Sequence, residues 1–363
     1  MRYIDEFRDE RLAGKISEEI RRIMPRRSVR IMEVCGTHTH NFFKFGLDKL
    51  LPGNLRLISG PGCPVCVSCR DYIDTAINLS SAPGTIITTF GDMLKVPGSS
   101  SSLEEERAKW GNIQVVYSPL DSLEIARRNP ANNVIFLAVG FETTASAIAL
   151  AIFAAKKEKM NNLSFLTSLK LIPPAITYLA EDRSLNIDGF LCPGHVSSII
   201  GMRPYISIAS RYAIPCCVAG FEPLDILKGI HMLIRQIASK KASAQNQYIR
   251  AVTKSGNSAA QRIMRECFCV TDASWRGLGV IKRSGLKIRD AFSHFDAAKV
   301  CHPLRKASRR PQAASGCKCA QILKGKARPD ECALFKKKCT PENPFGPCMV
   351  SQEGVCNAYY KYS

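Results

Sequence analysis

The sequence predicts an α/β fold with two parallel sheets covered by helices, followed by a small cysteine-rich region. Short apolar runs ending in Gly, Pro or a polar group alternate with longer amphipathic stretches, a pattern typical of parallel strands joined by helices. Six of the sixteen cysteines fall in the last fifty residues, a concentration that the α/β pattern does not explain. The 363 residues exceed the ~250 to 300 that one core usually serves, so two or three domains are expected.

The alternation of strands and helices divides the chain into three parts. We predict one α/β domain at residues 1–130, a second at 131–240, and a connecting segment with the cysteine-rich domain at 241–363. Residues 301–316, rich in charge, Pro and small side chains, predict a linker into the last part. The predicted strands are RSVRIMEVCG, NLRLISG, TIITTFGDM, IQVVYSP, NVIFLAVGF, SFLTSLKL, IDGFLCPG and IPCCVAGF. The predicted helices are DYIDTAINLSS, DSLEIARRN, TTASAIALAIFAAKKEKMN and PLDILKGIHMLIRQIASKK.

The N-terminal stretch is charged and amphipathic and lacks the apolar core of a signal peptide. No segment approaches the roughly 20 apolar residues that a membrane span needs, so we expect a cytoplasmic protein without a membrane partner. Disulfides are rare in that reducing compartment. The clustered cysteines therefore favour a thiolate-bound metal centre, with a disulfide framework as the alternative.

The formal net charge is +20, from 51 basic and 31 acidic residues, which is compatible with a nucleic acid or an acidic protein partner. The basic residues are spread along the chain with little aromatic interleaving. An ordinary solvated surface explains such unpatterned charge better, so no nucleic acid partner is expected. The sequence also has no G-x-G-x-x-G motif, Walker loop or Ser-His-Asp constellation, which argues against conventional nucleotide or hydrolase chemistry.

The first candidate site is the sequence CGTHTH, which follows a predicted strand and contains Cys35, His38 and His40. Gly36 allows a tight turn, so a thiol and two imidazoles come together at the strand end. Thiolate and imidazole suit iron, zinc or copper as ligands. A buried thiol with histidines bonded to backbone groups would explain these residues equally well.

The second candidate site is GPGCPVCVSC at residues 60–69, between a predicted strand and a predicted helix. Free N–H groups at a helix start lower a thiol pKa, which is the basis of Cys-x-x-Cys redox motifs. Cys63 and Cys66 are therefore predicted as a redox pair, and Cys69 as a bystander. Half of a structural zinc site is the alternative, although no second Cys-x-x-Cys occurs.

Two further glycine-containing turns stand at strand ends and carry polar side chains. They are GFETT at residues 140–144, with Glu142, and PGHVS at residues 193–197, with His195. A helix cap at Thr143 and a core histidine at His195 would explain both turns adequately.

Taken together, these motifs resemble those of the HypD family of hydrogenase maturation factors over nearly the whole chain. The motifs that carry the resemblance occur in the order CGTHTH, GPGCPVC, TFGDMLKVPGS, VVYSPLD, AVGFETT, DGFLCPGHVSSIIG, VAGFEPLDIL, WRGLGVI and CMVSQEGVCNAYYKY. The resemblance implies two α/β domains facing a cleft and a small, mainly helical domain with one [4Fe-4S] cluster. It also implies a scaffold for the Fe(CN)2(CO) group of [NiFe] hydrogenase, working with the chaperone HypC and the cyanide-delivering pair HypE and HypF.

Carried over by motif, the resemblance assigns roles to individual residues. Cys35 would bind the nascent iron with His38 beside it, and Cys63 and Cys66 would be the redox-active pair. Glu142 and His195 would line the cleft, and Glu353 would lie near the cluster. The preferred cluster ligands are Cys319, Cys332, Cys339 and Cys356, with Cys348 in reserve.

The implied chemistry is that of an assembly factor rather than a free-standing enzyme, because the product is a metal fragment passed on to another protein. The alternative is an iron-sulfur thiol-disulfide oxidoreductase resembling ferredoxin:thioredoxin reductase, acting through Cys63 and Cys66. The chain departs from the family pattern at several positions, none of them a proposed ligand. They are Cys69, Ser146, Cys192, Cys216, Cys217 and Gln352.

Overall fold

The computed structural model describes residues 5–109, 111–301 and 316–363, so the predicted linker at 301–316 lies almost wholly outside the described residues. The strands are β1 Val29–Glu33, β2 Leu55–Ser59, β3 Thr85–Thr89, β4 Ile113–Val115, β5 Asn133–Gly140, β6 Leu163–Lys170, β7 Gly189–Pro193, β8 Cys216–Ala219, β9 Ala244–Asn246, β10 Phe268–Trp275 and β11 Gly279–Ile288. The helices are α1 Glu10–Ile23, α2 Gly36–Lys44, α3 Arg70–Ser80, α4 Leu103–Lys109, α5 Asp121–Arg128, α6 Glu142–Lys157, α7 Ile172–Glu181, α8 Gly194–Ile200, α9 Arg203–Tyr212, α10 Pro223–Ala238, α11 Ser258–Cys267, α12 Ala297–Val300, α13 Cys319–Leu323, α14 Pro347–Val350 and α15 Val355–Tyr362. Each helix within these ranges is too short or too polar to cross a membrane.

The strands form two mostly parallel sheets, which confirms the predicted fold class. The first sheet has the order β2-β1-β7-β8-β9 and is parallel throughout. The second sheet has the order β10-β11-β6-β5-β3-β4, with β10 and β11 antiparallel to their neighbours. Segments 30–130 and 131–240 each supply strands to both sheets, so the sheets are interleaved along the chain. The domain boundaries at 130 and 240 stay a prediction.

The hydrophobic core follows the alternation of side chains along the strands. Successive residues of a strand point to opposite faces, so a central strand feeds two cores. In β5, Ile135 and Leu137 pack in a central core shared by both sheets, whereas Val134 and Phe136 pack on the far face of the second sheet. Cysteines of the C-terminal region belong to the same central core, so this region is packed against the α/β layers.

The carboxyl ends of β1, β2, β7 and β8 meet along one edge of the first sheet, which we call the first-sheet edge. Parallel strands bring their carboxyl ends together, and open α/β sheets bind ligands there. The turn after β1 contacts the turn after β2, because the Gly36 N–H donates to the Gly62 carbonyl at 3.1 Å. The C-terminal region covers α2, with the rings of Phe43 and Tyr359 4.4 Å apart.

Candidate functional site

Cys35 lies at the centre of the first-sheet edge, immediately before α2, and is buried. Its surroundings require glycine at two positions. A Cβ atom at Gly62 would collide with the Cys35 backbone, and one at Gly36 would collide with the backbone of Glu353. The two glycines therefore allow the Gly60–Gly62 turn and the C-terminal region to close directly around this thiol.

Cys35 is paired with an imidazole from another strand end. Its Sγ lies 3.8 Å from Nδ1 of His195, which enters from the start of α8 after β7. Burial raises the pKa of the Cys35 thiol to about 12, and the nearby Glu353 carboxylate acts in the same direction. Burial also lowers the pKa of His195 to about 4. Thiol and imidazole are therefore both neutral at physiological pH when no metal is bound.

His38, predicted beside the iron, is fully buried and bonded to the backbone. Its Nε2 lies 2.9 Å from the Gly220 carbonyl oxygen and 3.2 Å from that of Ala219, so it acts as the donor, while Nδ1 has no partner in the described part of the chain. Burial lowers the pKa of His38 to about 4. The imidazole within reach of Cys35 is thus His195, and His38 is oriented by the strand end of β8.

Phe221 is a neighbour that the sequence reasoning assigned no role. Its ring centroid lies 5.0 Å from that of His38 and 5.4 Å from that of His195. The aromatic ring thus packs beside both imidazoles. The signal was the GFE tripeptide after β8, which repeats the one after β5.

Glu353 reaches the first-sheet edge from the loop between α14 and α15. Its Oε1 accepts a hydrogen bond of 2.6 Å from the hydroxyl of Thr37, the second residue of α2. Burial raises the pKa of this carboxyl group. In sequence Glu353 lies between Cys348 and Cys356, and its side chain contacts the turn after Cys35. It thus connects the cysteine-rich region to the first-sheet edge.

Cys63 and Cys66 form a close, buried pair. Their Sγ atoms are 2.6 Å apart, and the Cys66 N–H points to Cys63 Sγ at 3.3 Å. The expectation that a helix start lowers the thiol pKa is wrong for Cys66, whose pKa is raised by burial and by the neighbouring thiols Cys348 and Cys63. The helix α3 begins only at Arg70, so the pair lies in the turns before its N-terminus.

Six cysteines of the C-terminal region surround one small cavity. Cys348 is the central one, since its thiol interacts with those of Cys319, Cys356 and Cys66. It therefore joins the cavity to the Cys63–Cys66 pair, although these lie almost 300 positions apart in sequence. The six cysteines are Cys317, Cys319, Cys332, Cys339, Cys348 and Cys356.

Glu142 lies at the start of α6, at the edge of the second sheet. Its Oε1 accepts a hydrogen bond of 3.0 Å from the Ile172 N–H, and Oε2 is buried without a partner in the described residues. Burial raises the pKa of Glu142 to about 7. Its hydrogen bond ties α6 to α7, and within the described ranges no hydrogen bond joins it to Cys35 or His195.

Comparisons with known proteins identify the family of the chain. The HypD family model, described as the hydrogenase formation hypA family, matches residues 11–363. The chain belongs to the HypD family. It is 43% identical over 372 residues to a hydrogenase maturation factor HypD of Rhodobacter capsulatus, covering 100% of this chain and 98% of the relative. The identity is 44% to HypD of Cupriavidus necator and 42% to HypD of Escherichia coli K12, again over 100% of this chain and 97% and 98% of the relatives.

The cysteine-lined cavity of this HypD-family chain fits an iron-sulfur cluster. Gly346 borders it so closely that a Cβ atom would lie 3.2 Å from Cys317 Sγ. The Phe345 N–H donates to Cys339 Sγ at 3.4 Å, as backbone amides do toward cluster thiolates. Among the described residues no three His, Cys, Asp or Glu side chains converge on a single metal ion. Thiolates of a cubane need not converge so tightly, because each binds a different iron atom.

Besides Phe221, two features of this HypD-family site were not predicted from the sequence, namely the buried Glu33 and the contact of Cys348 with Cys66. Glu33 in β1 is fully buried, accepts a hydrogen bond of 2.8 Å from Thr39, and has its pKa raised to about 8 by burial. Cys348 was held in reserve because ligand spacing favoured other cysteines. A glutamate at the end of an apolar strand was the available signal for Glu33, whereas the contacts of Cys348 depend on packing between distant segments.

Proposed function

We propose that this chain, through the first-sheet edge, holds iron while the Fe(CN)2(CO) group of [NiFe] hydrogenase is assembled. Membership of the HypD family supports a role in hydrogenase maturation, since its relatives are named maturation factors. The observation that carries the finer proposal is the buried Cys35 thiol, 3.8 Å from the His195 imidazole and enclosed by glycine turns. Iron is the substrate of this site and leaves with its new ligands.

Cys35 binds the iron as a thiolate, so its proton leaves when iron arrives. His195 Nδ1, at 3.8 Å from the sulfur, is the nearest group that can take this proton. The buried surroundings exclude water, and the Phe221 ring restricts both histidines to their positions. The predicted role of His38 beside the iron is retained in a weaker form, as a residue that orients the site through the Gly220 carbonyl.

Cys63 and Cys66 supply electrons for cyanide transfer. The two thiols form a disulfide and release two protons and two electrons. The electrons cleave the sulfur–carbon bond of a thiocyanate on the carrier protein, which leaves as a thiolate while cyanide binds the iron. The proposal is supported by the 2.6 Å separation of the two sulfur atoms and by their place beside the Gly62 turn.

The [4Fe-4S] cluster would be held by Cys319, Cys332, Cys339 and Cys356, with Cys348 as the competing ligand. When bound, such a cluster supplies single electrons at low potential. The contact of Cys348 with Cys66 supports placing the cluster next to the dithiol. Cys348 contacts Cys319 and Cys356 of the cavity as well as Cys66 of the pair, so the cluster and the pair would share one buried region.

The partners in this proposal are HypC, whose thiolate completes the coordination of the iron, and the HypE and HypF pair, which delivers cyanide. Assembly of the iron group takes place in the cytoplasm. The chain acts as an assembly factor because the completed iron group is transferred to another protein. Membership of the HypD family supports an interaction with other maturation proteins.

Infrared spectra of the anaerobically purified complex with HypC test the proposal. Wild-type protein should show bands from iron-bound CN and CO, and Cys35→Ala should lose them, since no other thiol lies beside His195 in the described residues. Cys69→Ala is the matched control, because it removes a nearby, partly exposed thiol that lies outside the Cys35–His195 pair and hydrogen-bonds to the Ser274 carbonyl. Bands of wild-type intensity in Cys35→Ala would place assembly elsewhere.

A second candidate function is a thiol-disulfide oxidoreductase, favoured by the contact between the Cys63–Cys66 pair and Cys348. This function predicts multiple turnovers of a protein disulfide without iron-bound CN or CO. The infrared experiment separates the two candidates, because a reductase would show disulfide turnover and no diatomic bands.

A further inference from the structure

A second cavity opens at the opposite edge of the first sheet from Cys35, where the chain enters β1, β7 and β8. It has a volume of about 750 Å³, within the range of small-molecule sites. Four arginines and two aspartates contribute to its wall, and Leu179, Ile187 and Ile214 give it an apolar part. The arginines are Arg27, Arg30, Arg183 and Arg211, and the aspartates are Asp182 and Asp188.

Both aspartates of this cavity are already neutralised by partners. Asp188 pairs with Arg27 at 2.7 Å and accepts a 2.8 Å hydrogen bond from the Arg30 N–H. Asp182 caps the turn at Ser184, accepting from its N–H at 3.1 Å, and pairs with Lys326 at 3.6 Å. Neither carboxylate is left to balance the remaining arginines.

Three arginines of the cavity have no carboxylate partner among the residues that the structure describes. Arg30 donates through Nη2 to the Gly325 carbonyl at 2.8 Å, while its Nε is buried without a partner. The Arg211 guanidinium lies 5.3 Å from the centre of the Tyr212 ring. Arg183 stands on the rim, in the turn after α7. Three of the arginines that line the cavity thus lack a carboxylate partner among the described residues, and one of them, Arg30, also has an unpaired buried Nε.

We propose that this cavity binds a phosphate-bearing small molecule, with Arg30, Arg183 and Arg211 holding the phosphate oxygens. Guanidinium groups match phosphate through paired hydrogen bonds, and a phosphate monoester carries nearly two negative charges and three acceptor oxygens. A single carboxylate would leave most of the positive charge unbalanced. The apolar wall formed by Leu179, Ile187 and Ile214 fits the uncharged body of such a ligand.

The site is independent of the iron chemistry, because it lies at the amino ends of the strands whose carboxyl ends carry Cys35 and His195. Arg30 in β1 also bonds to Gly325, between α13 and the last helices. A negative infrared test of the iron site would therefore not contradict phosphate binding, and absence of phosphate binding would not contradict the iron site.

Isothermal titration calorimetry on the full chain tests the inference, with inorganic phosphate, pyrophosphate, glucose 6-phosphate and succinate as probes. We expect one saturable site for a phosphate probe, with glucose 6-phosphate tighter than inorganic phosphate if the ligand is an ester, and weaker binding of succinate. Arg183→Gln and Arg211→Gln should each weaken binding about tenfold or more, as loss of one charged phosphate contact does.

Arg203→Gln is the matched control, because Arg203 lies at the other end of α9 from Arg211 and outside the cavity. Both tested arginines are exposed, so the variants should fold, which circular dichroism checks. No saturable binding of any phosphate probe, or equal weakening by Arg203→Gln, would overturn the inference. Binding of a hexaglutamate peptide in place of phosphate would show an acidic-peptide site, and tighter succinate binding a carboxylate site, and either also overturns it.

Discussion

The edges of the two sheets have the same architecture and different chemistry. At the first-sheet edge burial raises the pKa of Cys35 to about 12 and lowers that of His195 to about 4, so neither group titrates near neutral pH. At the carboxyl end of the second sheet, burial brings the pKa of Glu142 to about 7 and that of Lys170 to about 8. The same desolvation therefore keeps the Cys35 thiol and the His195 imidazole uncharged at the first-sheet edge, whereas it brings Glu33 of that edge and Glu142 and Lys170 of the second sheet toward neutral pH.

Loss of the iron-sulfur cluster is the largest effect that we expect near the first-sheet edge. Cys339→Ala or Cys332→Ala should remove about four irons per chain from one cubane centre, because water does not replace a thiolate there. Iron analysis and the visible absorption of anaerobic protein measure this. Cys301→Ala, a thiol outside the cavity, serves as the control. If Cys348→Ala bleaches the protein while Cys319→Ala leaves it brown, Cys348 is the fourth ligand.

Removal of the Cys63–Cys66 pair should distinguish the redox reaction of these two thiols from that of the cluster. Cys63→Ser and Cys66→Ser should each abolish the two-electron step of a redox titration and block maturation, while the cluster absorption remains. The reason is that neither thiol lines the cysteine cavity, which Cys66 adjoins through Cys348 and the Pro347 carbonyl. Zinc bound stoichiometrically by the wild-type pair would contradict the redox role.

The fold class was predictable because the decisive signals are local. All eight predicted strands and all four predicted helices are present, since apolar runs ending in Gly or Pro and amphipathic stretches report short-range preferences. The strands β9 to β11 were missed, and β10 shows the reason, because its interior residues are only half-buried or exposed and include polar side chains, so it contains no continuous apolar run. Sheet membership was also missed, because the pairing of β1 with β7 depends on contacts across more than 150 residues.

The candidate site was predictable in its residue types and less so in its geometry. The cysteine, histidine and glycine motifs at strand ends identified Cys35, Cys63 and His195. The contact between Cys35 and His195 could not be predicted from the sequence. It depends on the positions of β7 and β8 beside β1, which decide whether His195 or His38 faces Cys35. The raised pKa of Cys66 follows from burial against Cys348, a contact that no sequence spacing reports.

Glu142 tests the pH response of the second sheet's edge. Its pKa is raised to about 7 in the folded chain, against a value near 4.5 when unfolded. Below the pKa of the unfolded state, the Glu142 carboxyl group is protonated in the folded and the unfolded chain, so its burial does not lower the free energy of unfolding. As pH rises to about 7 the unfolded state ionises first, and stability should fall by up to roughly 3 kcal/mol. Glu142→Gln should remove this part of the slope in urea titrations between pH 4.5 and 8, while Glu33, whose pKa is also raised, contributes the remainder.

The control for this pH slope is Glu158→Gln, an exposed carboxylate at the end of α6 paired with Arg127. It should keep the wild-type fall in stability between pH 4.5 and 7. An unchanged slope in Glu142→Gln would mean that another buried acid is responsible, with Glu33 the next group to examine.

The smallest expected effect concerns the contact that closes the first-sheet edge. A Cβ atom at Gly36 would collide with the backbone of Glu353, and backbone moves less readily than a side chain. Gly36→Ala should therefore cost about 1 to 3 kcal/mol of unfolding free energy, as overpacking does. It should also loosen the C-terminal region, which proteolysis near Glu353 would report. Gly53→Ala is the matched control, because a Cβ there meets nothing within 4 Å. Equal stability of Gly36→Ala and Gly53→Ala would show that the C-terminal region can move away from Cys35, and the site would then be open at this end.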